Sequence, residues 1–77
     1  ERRENMKKEL GDKKENARQT VRKWRDKAWK KIQNKEQEGE ISEDDKYRAE
    51  DDLQDLVDEY NEKIDEIVEN KKDQINQ

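Results

Sequence analysis

The stretch Gly39-Glu40-Ile41-Ser42-Glu43-Asp44-Asp45 decides how the chain is arranged, because it holds both a helix stop and a helix start. Glycine takes the left-handed backbone conformation that closes a helix without the steric cost other residues meet. Ser42 carries the hydroxyl oxygen an N-cap uses to accept from a free backbone N–H. Asp45, three residues on, can reach back as the second half of a capping box. Glu43, Asp44 and Asp45 add negative charge to the first turn, where the helix dipole favours it. Gly11 is the other glycine, and proline is absent. With so few breakers, the pattern predicts helices over residues 2–38 and 43–75, joined by a tight turn over 39–42. So short a connection makes the helices antiparallel neighbours.

Upstream of the turn, apolar side chains recur at Met6, Leu10, Ala17, Val21, Trp24, Ala28 and Ile32. Steps of three, four and seven residues keep them on one stripe of a helix. Downstream, Leu53, Leu56, Val57, Tyr60, Ile64, Ile67, Val68 and Ile75 do the same. Strand alternation fits neither half. The expected fold is all-α, an antiparallel two-helix hairpin with Trp24 in its core. Lys13, Lys14 and Lys71 interrupt the stripes, so the seam is weak there. Gly11 inside a helix costs about 1 kcal/mol relative to alanine. Two helices with one stripe each make a poor independent fold, and a third helix usually completes such an arrangement. The hairpin is therefore read as part of a three-helix bundle.

Charged residues make up 55% of the chain and apolar ones 25%, a balance that by itself points to disorder. The regular placement of the apolar quarter argues for folding instead. Cysteine and histidine are both absent, which excludes disulfides, thiolate chemistry and imidazole ligation. Glu50, Asp51, Asp52, Asp55, Asp58 and Glu59 lack the glycine bend of a calcium loop, and no nucleophile accompanies them. They read as a solvated, partly ion-paired face. No cofactor, metal, small-molecule substrate or enzymatic activity is expected. No apolar run approaches a membrane span, and a cytoplasmic location is expected.

The net charge of -4 hides a strong asymmetry. Residues 1–36 carry 14 basic and 7 acidic side chains, a net of +7, and residues 37–77 carry 5 and 16, a net of -11. The first half is basic enough to meet phosphate, whereas the second repels it. On a wheel at about 100° per residue, Arg18, Arg22, Arg25 and Trp29 lie within about 60° of one another and roughly 100° from the core stripe. If the core turns inward, this row is expected to face out. Guanidinium groups suit phosphate because their planar fork makes paired hydrogen bonds and stays charged. The indole of Trp29 has two readings: stacking on a base or ribose, or packing under a third helix. The plainer reading of the whole row is a solvated helix face.

Longer blocks of the sequence resemble a known family. They are Glu1-Arg2-Arg3; Glu15-Asn16-Ala17-Arg18 running on to Val21-Arg22-Lys23-Trp24-Arg25; the turn Gly39 to Asp45; Asp52-Leu53-Gln54-Asp55-Leu56-Val57-Asp58; Ile64-Asp65; and Lys71-Lys72-Asp73. In this order and spacing they resemble the ribosome recycling factors across essentially the whole chain. The resemblance implies a three-helix bundle with a β domain inserted after its first helix. This chain then supplies helices two and three, with the first helix and the β domain absent. It also implies action after translation termination, in the bacterial cytoplasm or an organelle, where elongation factor G and its GTP hydrolysis help split the ribosomal subunits. The implied partner is large-subunit ribosomal RNA, met by arginines at the positions of Arg22 and Arg25. Arg18, Arg2 and Arg3 match further basic positions. The chain departs from the family pattern at Asp26 and Lys27, where an arginine and then an acid are usual, and at Trp24 and Trp29, which replace smaller residues.

A structural helical hairpin, binding another helix through its apolar stripe, is the alternative from a different class. It implies association that salt does not weaken and no affinity for RNA.

Overall fold

The computed structural model describes residues 2–76, so Glu1 of the opening Glu-Arg-Arg block lies outside the described residues. It contains two helices, α1 (Arg2–Gln37) and α2 (Glu43–Asn76). The first stops one residue before the expected end and the second runs one residue beyond it, a difference within the ordinary fraying of helix ends. Together they form a rod measuring 57 × 15 × 9 Å along its principal axes.

The turn forms as its residues require. Gly39 adopts φ 76°. Its N–H donates to the Glu36 carbonyl at 3.0 Å, and the Glu40 N–H donates to the Lys35 carbonyl at 2.9 Å. These are the two crossed bonds of a Schellman motif, and they satisfy carbonyls that the end of α1 would otherwise leave open. Ser42 then caps α2 in both directions. The Asp45 N–H donates to the Ser42 hydroxyl at 3.1 Å, and the Ser42 N–H donates to an Asp45 carboxylate oxygen at 3.3 Å. Aspartate thus serves in the reciprocal position where glutamate or glutamine is usual.

The chain therefore folds straight back, and the cross-helix pairs keep one register along the rod. Glu36 meets Lys46 nearest the turn, Trp24 meets Tyr60 further along, and Arg18 meets Asp65 beyond it. Leu10, Leu53, Val57 and Val68 are the buried hydrophobic side chains among the described residues, each at most 8% exposed. Ala17, Val21, Ala28, Ile32, Ile64 and Ile75 are half-buried beside them.

A pair of helices has one seam and two flanks. The apolar stripes are wider than the seam, and the excess falls on one flank. Trp24 belongs to it. Expected in the core, it is 43% exposed, with its ring edge-on to Tyr60 at 6.1 Å between centroids and 69° between planes. The physical reason is angular. Trp24 sits about 60° round from Val21 on the wheel, too far to face α2 squarely, so the hairpin covers its edge only. Leu56, Tyr60 and Ile67 are likewise exposed.

The two glycines respond differently to alanine. At Gly11 an added Cβ meets nothing within 4 Å. Gly11→Ala is expected to raise stability by about 0.5–1 kcal/mol, as removal of a helix-interior glycine does. Gly39→Ala is expected to lower it by about 1–2 kcal/mol, the cost of left-handed backbone for a residue with a Cβ. Thermal or urea unfolding followed by circular dichroism measures both, and equal effects at the two sites would contradict the assigned turn.

Candidate nucleic-acid interface

The second flank carries the cationic row. α1 has 14 basic and 6 acidic side chains and α2 has 5 and 14, so phosphate is drawn to the α1 side of the rod and repelled from the α2 side. On α1 this flank presents Arg18, Arg22, Arg25 and Trp29, and on α2 it presents Gln54, Asp58, Asn61 and Asp65.

The four residues of the row are not equivalent. Arg22 is exposed and makes no ion pair among the described residues. Arg25 keeps 36% of its side chain exposed and folds it over Asp26, its next neighbour, which accepts from Nη2 at 3.1 Å and Nε at 3.3 Å. Both are outside the seam, as the wheel expects. Trp29 is 39% exposed and lines a shallow open groove with Arg25, Asp26 and Gln54.

Arg18 differs from the expectation that the whole row faces out. It reaches across the seam, where its Nη2 donates to Asp65 Oδ1 at 2.6 Å, and Lys14 Nζ lies 3.3 Å from the same oxygen. Its Nε is shielded from solvent without a hydrogen-bond partner. At about 60° from Val21 on the wheel, Arg18 lies near enough the seam for a long side chain to find an acid on α2. An exposed fork pointing at solvent is the worse alternative when an acceptor stands opposite. The side chain remains 38% exposed, so one edge of the guanidinium still meets solvent.

Asp65 is shaped by this pairing. Partial burial acts to raise its pKa, but the hydrogen bonds from Arg18 and Lys14 and their positive charges outweigh it and hold the carboxyl below its ordinary value. Nothing in the composition of α1 marks Asp65 as the acid that meets it. The signal is register: once the turn is placed at Gly39, Asp65 faces Arg18. Gln54 was missed in the same way, and the same register sets it opposite Trp29.

Arg2 and Arg3 do not join the row. They are exposed and line a depression at the open end of the rod with Met6, Gln74 and Ile75, roughly 33 Å along α1 from Arg25 at 1.5 Å per residue. Among the described residues no group of three or more acids converges as a metal site, and no helix is long and apolar enough to cross a membrane.

What these features define is an all-α hairpin with one apolar and one cationic flank, a scaffold suited to binding. A sequence model of the family described as Ribosome recycling factor matches residues 1–75. Over 75 residues, 97% of this chain, it is 40% identical to the protein named ribosome-recycling factor from Lactobacillus delbrueckii subsp. bulgaricus and 37% identical to the one from Lacticaseibacillus casei. The chain belongs to the ribosome recycling factor family. It spans about 40% of the length of each of these relatives. No solved structure matches it.

The Asp65 cluster gives a pH-dependent expectation. Because the folded pKa lies below the ordinary value, the stabilisation is present above about pH 4 and is lost as pH falls through the lower folded value. Asp65→Asn is expected to melt at a lower temperature than the parent at neutral pH, with the difference closing in acid. Paired melts at neutral pH and at about pH 3 test this. A difference that persists or widens in acid would rule out the ionised carboxylate as its source.

Proposed function

We propose that the chain is the long-helix part of a ribosome recycling factor, and that its cationic flank lies against large-subunit ribosomal RNA. The observation that carries the reading is the placement of Arg22 and Arg25. The turn and the seam leave both outside the interhelical contact, on the basic helix, where phosphate oxygens can reach them. Arg18 would contribute through its solvent-facing edge while anchored to Asp65. Arg2 and Arg3 would make a separate contact near the open end.

In this reading the rod positions, and does not catalyse. Phosphate contacts fix its register on the RNA. Elongation factor G then presses on the protein as GTP is hydrolysed, and the rigid rod passes that force to the contacts between the subunits. Family membership and the names of the two lactobacillar relatives support recycling as the task. Segments beyond these two helices would couple the rod to elongation factor G.

The apolar flank belongs to the same proposal. Met6, Trp24, Leu56, Tyr60 and Ile67 are each more than 40% exposed, and an apolar surface of that kind marks a contact. We assign it to the first helix of the three-helix bundle, supplied by the rest of the longer protein. The alternative, a hairpin that binds only protein, would use this flank alone and leave the arginines idle.

Sedimentation with large ribosomal subunits separates the two. Arg25→Glu is expected to weaken binding roughly 10- to 100-fold, since a hydrogen bond to a charged group contributes about 1.5–3 kcal/mol, with helix content unchanged. Binding is expected to weaken as salt rises, because counterions are released on contact. Binding that neither the substitution nor salt affects would favour the protein-only alternative.

A further inference from the structure

We infer that the groove between Trp29 and Gln54 receives a single unpaired nucleobase, so that the cationic flank reads single-stranded or flipped-out RNA in preference to duplex. The inference rests on the RNA-binding reading above and makes it specific.

The two tryptophans have been separated by the fold. On α1 they lie about 140° apart, so Trp24 falls on the apolar flank beside Tyr60 and Trp29 falls on the cationic one. A helix packed over Trp24 would leave Trp29 uncovered. Trp29 is a large apolar ring kept 39% exposed among charged neighbours. It sits one turn after Arg25, where residues four apart on a helix are neighbours about 5–6 Å apart, so that a phosphate contact at Arg25 and a base contact at Trp29 can fall on the same nucleotide. An exposed indole in that setting is a stacking platform, and base–aromatic stacking accepts any base because every base has a π face.

Gln54 supplies the other wall. Its amide nitrogen donates to Asp58 Oδ1 at 2.9 Å. An ionised carboxylate only accepts, so this bond fixes which end of the amide is nitrogen. The carbonyl oxygen is left as an acceptor, and among the described residues no protein group donates to it. That oxygen suits the exocyclic amino group of cytosine, adenine or guanine, which uracil lacks.

Charge excludes the duplex. A duplex laid over the rod brings phosphates of its second strand above α2, whose excess of acids repels them. A base is neutral. It can cross from the basic helix toward Gln54 while its phosphate stays beside Arg22 and Arg25. Asp26 holds Arg25 by two hydrogen bonds, which keeps the guanidinium at the mouth of the groove.

The test uses the 77-residue chain with Trp24→Phe, so that Trp29 is the sole indole, and follows its fluorescence during titration with oligocytidine, oligouridine and an RNA duplex at low salt. Single strands are expected to quench Trp29, cytidine more tightly than uridine, and duplex to leave it unquenched. Trp29→Leu is expected to weaken oligocytidine binding roughly 5- to 150-fold, the loss of one stacked base, while Trp29→Phe retains most of the affinity and Gln54→Leu removes the preference for cytidine. Circular dichroism confirms that the exposed substitutions leave the helices intact. Binding that depends on Arg25 but not on Trp29, or duplex that quenches as strongly as single strand, overturns the inference while sparing the RNA reading. No binding to any RNA, with Arg25→Glu indistinguishable from the parent, overturns both.

Discussion

A helix that packs against one neighbour can hide a single narrow face, and everything distinctive about this molecule follows from having only one such neighbour. The seam buries Leu10, Leu53, Val57 and Val68 and little else. Each helix must then show two flanks to its surroundings. Because the helices run antiparallel, the flanks of α1 and α2 combine into two continuous surfaces along the rod. One collects the apolar side chains that the seam could not take. The other collects arginines from α1 and polar or acidic groups from α2. The hairpin therefore sorts its own residues into a greasy surface and a charged one, and each asks for a different kind of partner.

The turn sets which residues share a surface. A Schellman closure at Gly39 followed at once by the Ser42–Asp45 cap leaves no slack between the helices. Insertion of one residue there would slide α2 along α1 and rotate one face relative to the other. Arg18 would lose Asp65, and Trp29 would lose Gln54. The local hydrogen bonds of six residues thus control contacts as far along the rod as Arg18 and Asp65.

That dependence explains what could be read from the sequence and what could not. The turn was legible because its chemistry is local: a glycine, a hydroxyl and an acid at fixed offsets. The two helices were legible because apolar period and the scarcity of breakers agree. The outward placement of Arg22 followed from a wheel, since it lies about 100° from Val21 and clear of the core stripe by angle alone. Arg18, Arg25 and Trp24 lie within about 60° of Val21, at the border between seam and flank, and there angle does not decide. Arg18 turned inward because an acid 47 residues later stands opposite it. Trp24 turned outward because one neighbour cannot cover a stripe that wide. A helical wheel of one helix knows neither the partner's width nor the partner's register.

The contrast between the helices also constrains how any polyanion can approach. Were the two helices alike in charge, the rod would attract phosphate on all sides and bind without orientation. With basic α1 and acidic α2 joined edge to edge, the field changes sign across the 15 Å width of the rod, about two Debye lengths at physiological salt, so screening keeps the two edges distinct. A charged backbone is steered onto one edge. The Asp65 cluster sharpens this, since Lys14 and Arg18 neutralise an acid that α2 presents on that flank. Pairing Arg18 inward therefore gives up part of one cation but neutralises a nearby anion on the flank that carries Arg22 and Arg25, and it ties the two helices together at that level.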